Sequence, residues 1–268
     1  MRRIGIVLAV GLVLCTPAPA WGPATHAYLA ERIVGPDPVA IYGAAAPDFN
    51  GAVLYNEPVR AALKHLTHRE FERLAPSPFA TGFATHNSLW GADWYAHACY
   101  DASAPEIYST RKIHQLSEEC GITVQRAEDV FEGVMDYLLR VERGPELGRL
   151  LAEGANASTH EDELVAAFAQ AVTERAPQIT LDEATAEIRK AAAGYRVLTT
   201  MYARELETRD EAYIRQYVPA AIATALKCTM PDAERYVTRA IALCQDDYKP
   251  EMDRIVTEVR AKMAESGR

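Results

Sequence analysis

Four things this 268-residue chain lacks narrow what it can be. Beyond residue 14 there is no apolar run long enough for a transmembrane helix, so no permanent membrane anchor is expected. None of its five cysteines stands in a Cys-x-x-Cys pair, which excludes an ordinary cysteine zinc site. No Asn-Gly or Asp-Gly pair is flanked by alternating strands, so hairpins are not expected. Basic residues are in deficit, 28 Lys and Arg against 37 Asp and Glu, for a net charge of -9. Such an acidic surface argues against broad electrostatic binding to nucleic acid. It leaves room for a phosphate substrate if bound cations supply positive charge locally.

The first twenty residues read as a segment to be removed. Met1-Arg2-Arg3 is basic, Ile4 to Leu14 is apolar, and Ala18-Pro19-Ala20 is a small-x-small cleavage site. This is the pattern of a secretory signal peptide cut after Ala20, so export is expected, to the periplasm or outside the cell. A lipoprotein signal at Cys15 fits less well, because the preceding Leu14 stands where that signal needs a small residue. Cleavage leaves about 248 residues, enough for one large core. Cys99, Cys120, Cys228 and Cys244 remain, and in an oxidising compartment the sequence neighbours Cys99–Cys120 and Cys228–Cys244 are the favoured pairs.

What is present is helical periodicity. Ala, Leu, Glu and Arg dominate, with apolar residues three and four apart. The expectation is an all-α, multi-helix single domain over 21–268. Helices are expected near 24–33, 57–74, 78–100, 110–119, 124–143, 161–174, 181–207, 211–227 and 231–265. Thr180-Leu-Asp-Glu183 reads as a capping box, and Thr229-Met-Pro-Asp232 as a helix start. Six of the seven histidines lie before residue 115. Residues 21–143 therefore read as the half that carries chemistry, and 144–268 as packing scaffold.

The densest cluster is His86-Asn-Ser-Leu-Trp-Gly-Ala-Asp93-Trp-Tyr-Ala-His97. At about 100° per residue, a continuous helix returns Asp93 and His97 to within about 20° of the direction of His86. Three ligand-type residues on one stripe of a mostly apolar helix favour metal over ordinary packing. Four further features join them. Trp21 would begin the mature chain, with His26 five residues on, so a free amine and a carbonyl could chelate an ion. Asp48 follows Pro47, which disfavours helix at Ala46 and leaves the carboxylate on a loop. His65 and His68 are three apart on one helix face, and spacing leaves the choice between them open. Glu128, Glu132 and Asp136 stand four apart, either as a solvated acidic face or as carboxylates neutralised by metal.

The order Trp-Gly…Thr-His, Gly-Ala-x-Ala-Pro-Asp, His-x-x-His, Ala-Asp-x-x-Ala-His and Glu-x-x-x-Glu resembles the zinc-dependent phospholipase C family, over residues 21–139. That family is similar in fold to the single-strand-specific zinc nucleases. The resemblance implies an exported all-helical enzyme with up to three zinc ions. It implies that Trp21 and His26 hold one zinc, that Asp48 bridges two, and that His65 or His68, His86 and Asp93 continue the cluster. His97 and Glu132 would hold the remaining ion. Asp48 would also orient or deprotonate the attacking water, the catalytic role. The substrate implied is a phospholipid or another phosphodiester, met by peripheral membrane contact. The alternatives are a non-catalytic exported metal- or lipid-binding protein and a zinc-dependent nuclease on the same fold. Two departures stand out. Asp93 follows His86 by about two turns where the family has one. Glu128 occupies a family histidine position, and a carboxylate there softens selectivity toward harder ions; His114 is the other candidate to reach in.

Overall fold

Proline and short polar side chains punctuate the chain. Asp37, Asn56, Ser77, Thr123, Thr180, Asp210 and Thr229 each cap a helix N-terminus by accepting from a backbone N–H in its first turn. The computed structural model describes residues 21–97, 107–157 and 160–267. Among these residues every regular element is helical, as expected, and no helix is long and apolar enough to cross a membrane. The expected signal peptide at 1–20 and Cys99 lie outside the described residues.

The α-helices are α1 (Pro23–Val34), α2 (Pro38–Ala45), α3 (Glu57–Arg69), α4 (Pro78–His86), α5 (Ala92–His97), α6 (Tyr108–Cys120) and α7 (Val124–Arg143). The second half adds α8 (Glu146–Ala157), α9 (Glu161–Arg175), α10 (Leu181–Thr208), α11 (Glu211–Leu226), α12 (Met230–Cys244) and α13 (Tyr248–Glu265). Short 3-10 turns fill Ala46–Ala52 and Phe71–Arg73. One buried apolar cluster runs from Trp21 to Met263. At the centre, α2 lies against α1, α4 and α8, and α10 runs along α8, α9 and the 3-10 turn. The inner face of α10 is Ala184, Ile188, Ala191, Ala192, Tyr195, Thr199, Tyr202, Ala203 and Leu206, a stripe at helical spacing. From it the Tyr195 hydroxyl donates to Ala45 O at 2.8 Å, pinning the segment that leads into Asp48.

Several expectations need correction. Helix 78–100 is not continuous. It ends at His86, and Asn87 Oδ1 accepts from the N–H groups of Leu89, Trp90 and Gly91 at 2.9, 3.0 and 3.3 Å, turning the chain before α5 begins. Helix 57–74 stops at Arg69, and 231–265 is two helices broken at 245–247. α8 stands outside the expected ranges although its apolar residues recur at helical spacing, and α2, whose Ala- and Gly-rich sequence has weak periodicity, is signalled only as a helix ending before Pro47. Asp48 sits in a 3-10 turn rather than an open loop. Cys228 and Cys244 are free thiols, and so is Cys120, so the expected Cys228–Cys244 pair is not formed.

α2 and α4 meet backbone to backbone. A Cβ on Gly82 would overlap the Ala40 carbonyl, and one on Gly43 would overlap the Phe79 carbonyl. Neither obstruction is a flexible side chain, so the helices would have to separate. Gly82→Ala is expected to destabilise the protein by about 1–3 kcal/mol, read as a lower midpoint in urea unfolding with the slope retained. An unchanged midpoint would show that the crossing has slack.

Candidate metal centre

His86 ends α4 and is fully buried. Its Nδ1 lies 2.9 Å from Ala44 O, and only an N–H can satisfy a carbonyl, so Nδ1 carries the proton and Nε2 presents a lone pair. That lone pair faces His68 Nε2 at 3.3 Å, Asp48 Oδ1 at 3.7 Å and Asp93 Oδ1 at 3.7 Å. His68, on α3, has Nδ1 2.8 Å from Thr67 Oγ1. Its Nε2 lies 3.4 Å from Asp48 Oδ1 and 3.8 Å from Asp93 Oδ1. Four buried ligand atoms from four elements thus lie close together: the two imidazole nitrogens are 3.3 Å apart, and each stands 3.4–3.8 Å from an oxygen of Asp48 and of Asp93. Donors around a tetrahedral ion with bonds of about 2.0–2.2 Å stand about 3.3–3.6 Å apart. His68, His86 and Asp93 could hold a metal ion.

Two more groups adjoin. The His26 ring, on α1, stacks on His86 with centroids 4.0 Å apart, and both of its buried nitrogens lack a hydrogen-bond partner among the described residues. With Asp48 and His86 it forms a second trio able to hold an ion. On α5, His97 Nε2 lies 3.5 Å from Asp93 Oδ1, while its Nδ1 lies 2.8 Å from Glu128 Oε1 on α7. Asp93 Oδ1 itself is buried and accepts no hydrogen bond although three imidazoles face it. Orphaned buried donors and acceptors are rare, and here they converge.

The charges follow from that convergence. Burial acts to raise the Asp48 pKa, but the neighbouring His86, His68 and His26 outweigh it and hold the carboxyl well below its usual range. Burial pushes His26 well below the ordinary imidazole value, reinforced by His86. His86 is lowered too, chiefly by burial. Burial would also lower His97, but Glu128 and Asp93 outweigh it and raise its pKa.

The structure sorts the expected residues. His26, Asp48, His68, His86 and Asp93 come together, with His97 against Asp93. His65 does not join them: its ring is 40 % exposed and points to Glu70 at 3.6 Å, so His68 is the member of the His-x-x-His pair at the cluster. His114 is exposed on α6. Glu128 meets the outer nitrogen of His97, the position of an orienting carboxylate behind a ligand. Glu132 is not among the grouped ligands; it lines a separate tyrosine-walled cavity between α7, α10 and α11, with Oε1 buried and unpartnered. Trp21 is buried, its indole T-shaped to the Phe131 ring with centroids 6.2 Å apart. Asp136 is neither solvated nor at the cluster. It caps α1 from a distance, accepting from Ala24 N at 3.3 Å, Thr25 N at 2.7 Å, Thr25 Oγ1 at 2.6 Å and the Tyr202 hydroxyl.

Spacing on a continuous helix puts His86, Asp93 and His97 on one stripe, but the helix that would do so is interrupted. In an unbroken helix His86 and Asp93 would be about 10 Å apart along the axis, too far to share an ion. The Asn87 turn removes that distance. Asn87 and Gly91 were the available signal, being turn residues inside a helical pattern. The Ala44 carbonyl and the Thr25–Asp136 cap had no sequence signal at all.

An open cleft gives access to the cluster, lined by His68, Asp93, His97, Trp94 and residues of α3. Comparisons with models of protein families, with curated proteins and with solved structures found no match.

Burial raises the Glu132 pKa well above the carboxylate range, and the charges of Glu128 and Asp129 add to this. The folded chain then keeps Glu132 neutral at a pH where the unfolded chain ionises it. Its contribution to stability is complete below the unfolded pKa and is lost as pH rises through the folded one. Glutamine does not titrate. In chelator, Glu132→Gln is expected to be more stable than the parent by about 1–3 kcal/mol at pH 8, with the gain vanishing near pH 4. A variant less stable than the parent at pH 8 would mean that the ionised carboxylate has a partner.

Proposed function

We propose that this chain is an exported, zinc-dependent phosphodiester hydrolase of the phospholipase C type. The observation that carries the reading is the pair of adjoining buried trios that share His86, His68–His86–Asp93 and His26–Asp48–His86, each able to hold an ion, with His68 Nε2 and His86 Nε2 each 3.4–3.8 Å from Asp48 Oδ1 and Asp93 Oδ1. All these residues are buried, and the imidazole-carboxylate donor set suits zinc. Bound zinc would supply an acidified water near neutral pH and neutralise charge on the phosphoryl oxygens.

The chain's own residues do the rest. Ala44 O and Glu128 fix the rings of His86 and His97, so their inward nitrogens need no reorganisation. Asp48, held well below its usual pKa, stays ionised through the working range. That suits it to bridging and to orienting the nucleophile, and makes it a poor general base. His26, kept neutral by burial, offers a lone pair for a second ion. If cleavage falls after Ala20, the Trp21 amine becomes a further donor beside His26, and Glu128 and Glu132 remain candidates for the outermost ion.

Metal analysis of the processed protein, with a chromogenic phosphodiester assayed before and after chelation, tests the reading. It predicts two or three zinc per chain, turnover lost in chelator and restored by zinc, and a fall in kcat of at least about a hundredfold in Asp48→Asn. Less than one metal per chain, with no turnover, contradicts it. The N-terminal donor has its own check: one extra residue ahead of Trp21 is expected to remove one zinc from the count, and an unchanged count excludes the amine.

A further inference from the structure

Arg60, Lys64 and His68 stand four apart on α3 and all three line the open cleft. One face of the helix therefore runs outward from a metal-centre histidine through two cations, each step rising about 6 Å. Arg60 is held by Glu57, with Nε donating to Oε2 at 2.7 Å. Lys64 is exposed and makes no hydrogen bond or ion pair among the described residues, and the same holds for Arg69 at the cleft rim. Besides the cations, Ala61 and Trp94 line the cleft. On a chain of net charge -9, unpaired cations gathered over the access route make a local attractive field for anions.

We propose that Lys64 is a specificity residue for an anionic arm of the substrate: the preferred phosphodiester carries a second phosphate about one helical turn from the scissile one, lying along α3 toward Lys64. The inference rests on the hydrolase reading and narrows its substrate class to small, multiply anionic diesters. A phosphorylated glycerol head group and a phosphorylated nucleoside share this chemistry.

The zinc-loaded protein is assayed on two pairs of p-nitrophenyl phosphodiesters. One pair is the ester of glycerol with and without a terminal phosphate. The other is the ester of thymidine 5′-phosphate with and without a 3′-phosphate. The inference expects kcat/KM to favour the doubly anionic member of at least one pair by about tenfold, through KM. The pair with the larger ratio identifies the scaffold. Lys64→Ala is expected to collapse that ratio and Lys64→Arg to keep it, with unchanged melting in both because the side chain is exposed. Turnover of both members at equal efficiency overturns the inference and leaves the hydrolase reading standing, as does a preference that survives in Lys64→Ala. Absence of turnover on all four compounds overturns both.

Discussion

Two imidazole nitrogens face each other at 3.3 Å in the centre of this molecule, and most of what surrounds them serves to hold them there. His86 has committed its other nitrogen to a backbone carbonyl, so it can only accept. Asp48 and Asp93 each stand 3.7 Å from its Nε2, and among the described residues Asp93 Oδ1 accepts no hydrogen bond. Lone pairs and carboxylates buried in this arrangement repel unless a cation stands between them. The alternative, a proton on His68 Nε2, serves one neighbour at a time and leaves His26 with two idle nitrogens.

Among the described residues the second half of the chain contributes no ligand to this cluster, yet it sets its shape. α10 reaches the centre twice. Tyr195 anchors the carbonyl of Ala45 just before the Asp48 turn, and Tyr202 donates to Asp136, the carboxylate that caps α1 and so positions His26. Both tyrosine hydroxyls are buried, and burial pushes their pKa values well up, so they serve as fixed donors. The glycine crossing of α2 and α4 brings Ala44 O within reach of His86. Packing at long range therefore decides the orientation of rings whose chemistry is local.

This division explains what could be read from the chain. The all-helical class was legible because α7 and α10 carry long apolar stripes and explicit caps. The ligand residues were legible because histidine and aspartate crowd the first half in recurring pairs. What stayed hidden depends on contacts distant in sequence. Nothing local marks Asp136 as the cap of a helix 111 residues earlier, or Glu128 as the partner of His97. The choice of His68 over His65 turns on which face of α3 meets Asp48. The break at Asn87 was visible as composition, but its consequence, bringing Asp93 back to His86, required the folded chain.

X-ray absorption at the zinc edge of zinc-loaded protein tests the central claim most directly, because it reads the donor atoms themselves. A first shell of nitrogen and oxygen at about 2.0–2.1 Å, with outer-shell scattering from several imidazole rings and no sulfur near 2.3 Å, is what this centre predicts. Sulfur in the first shell, or oxygen alone without imidazole scattering, would place the ion elsewhere and contradict the account.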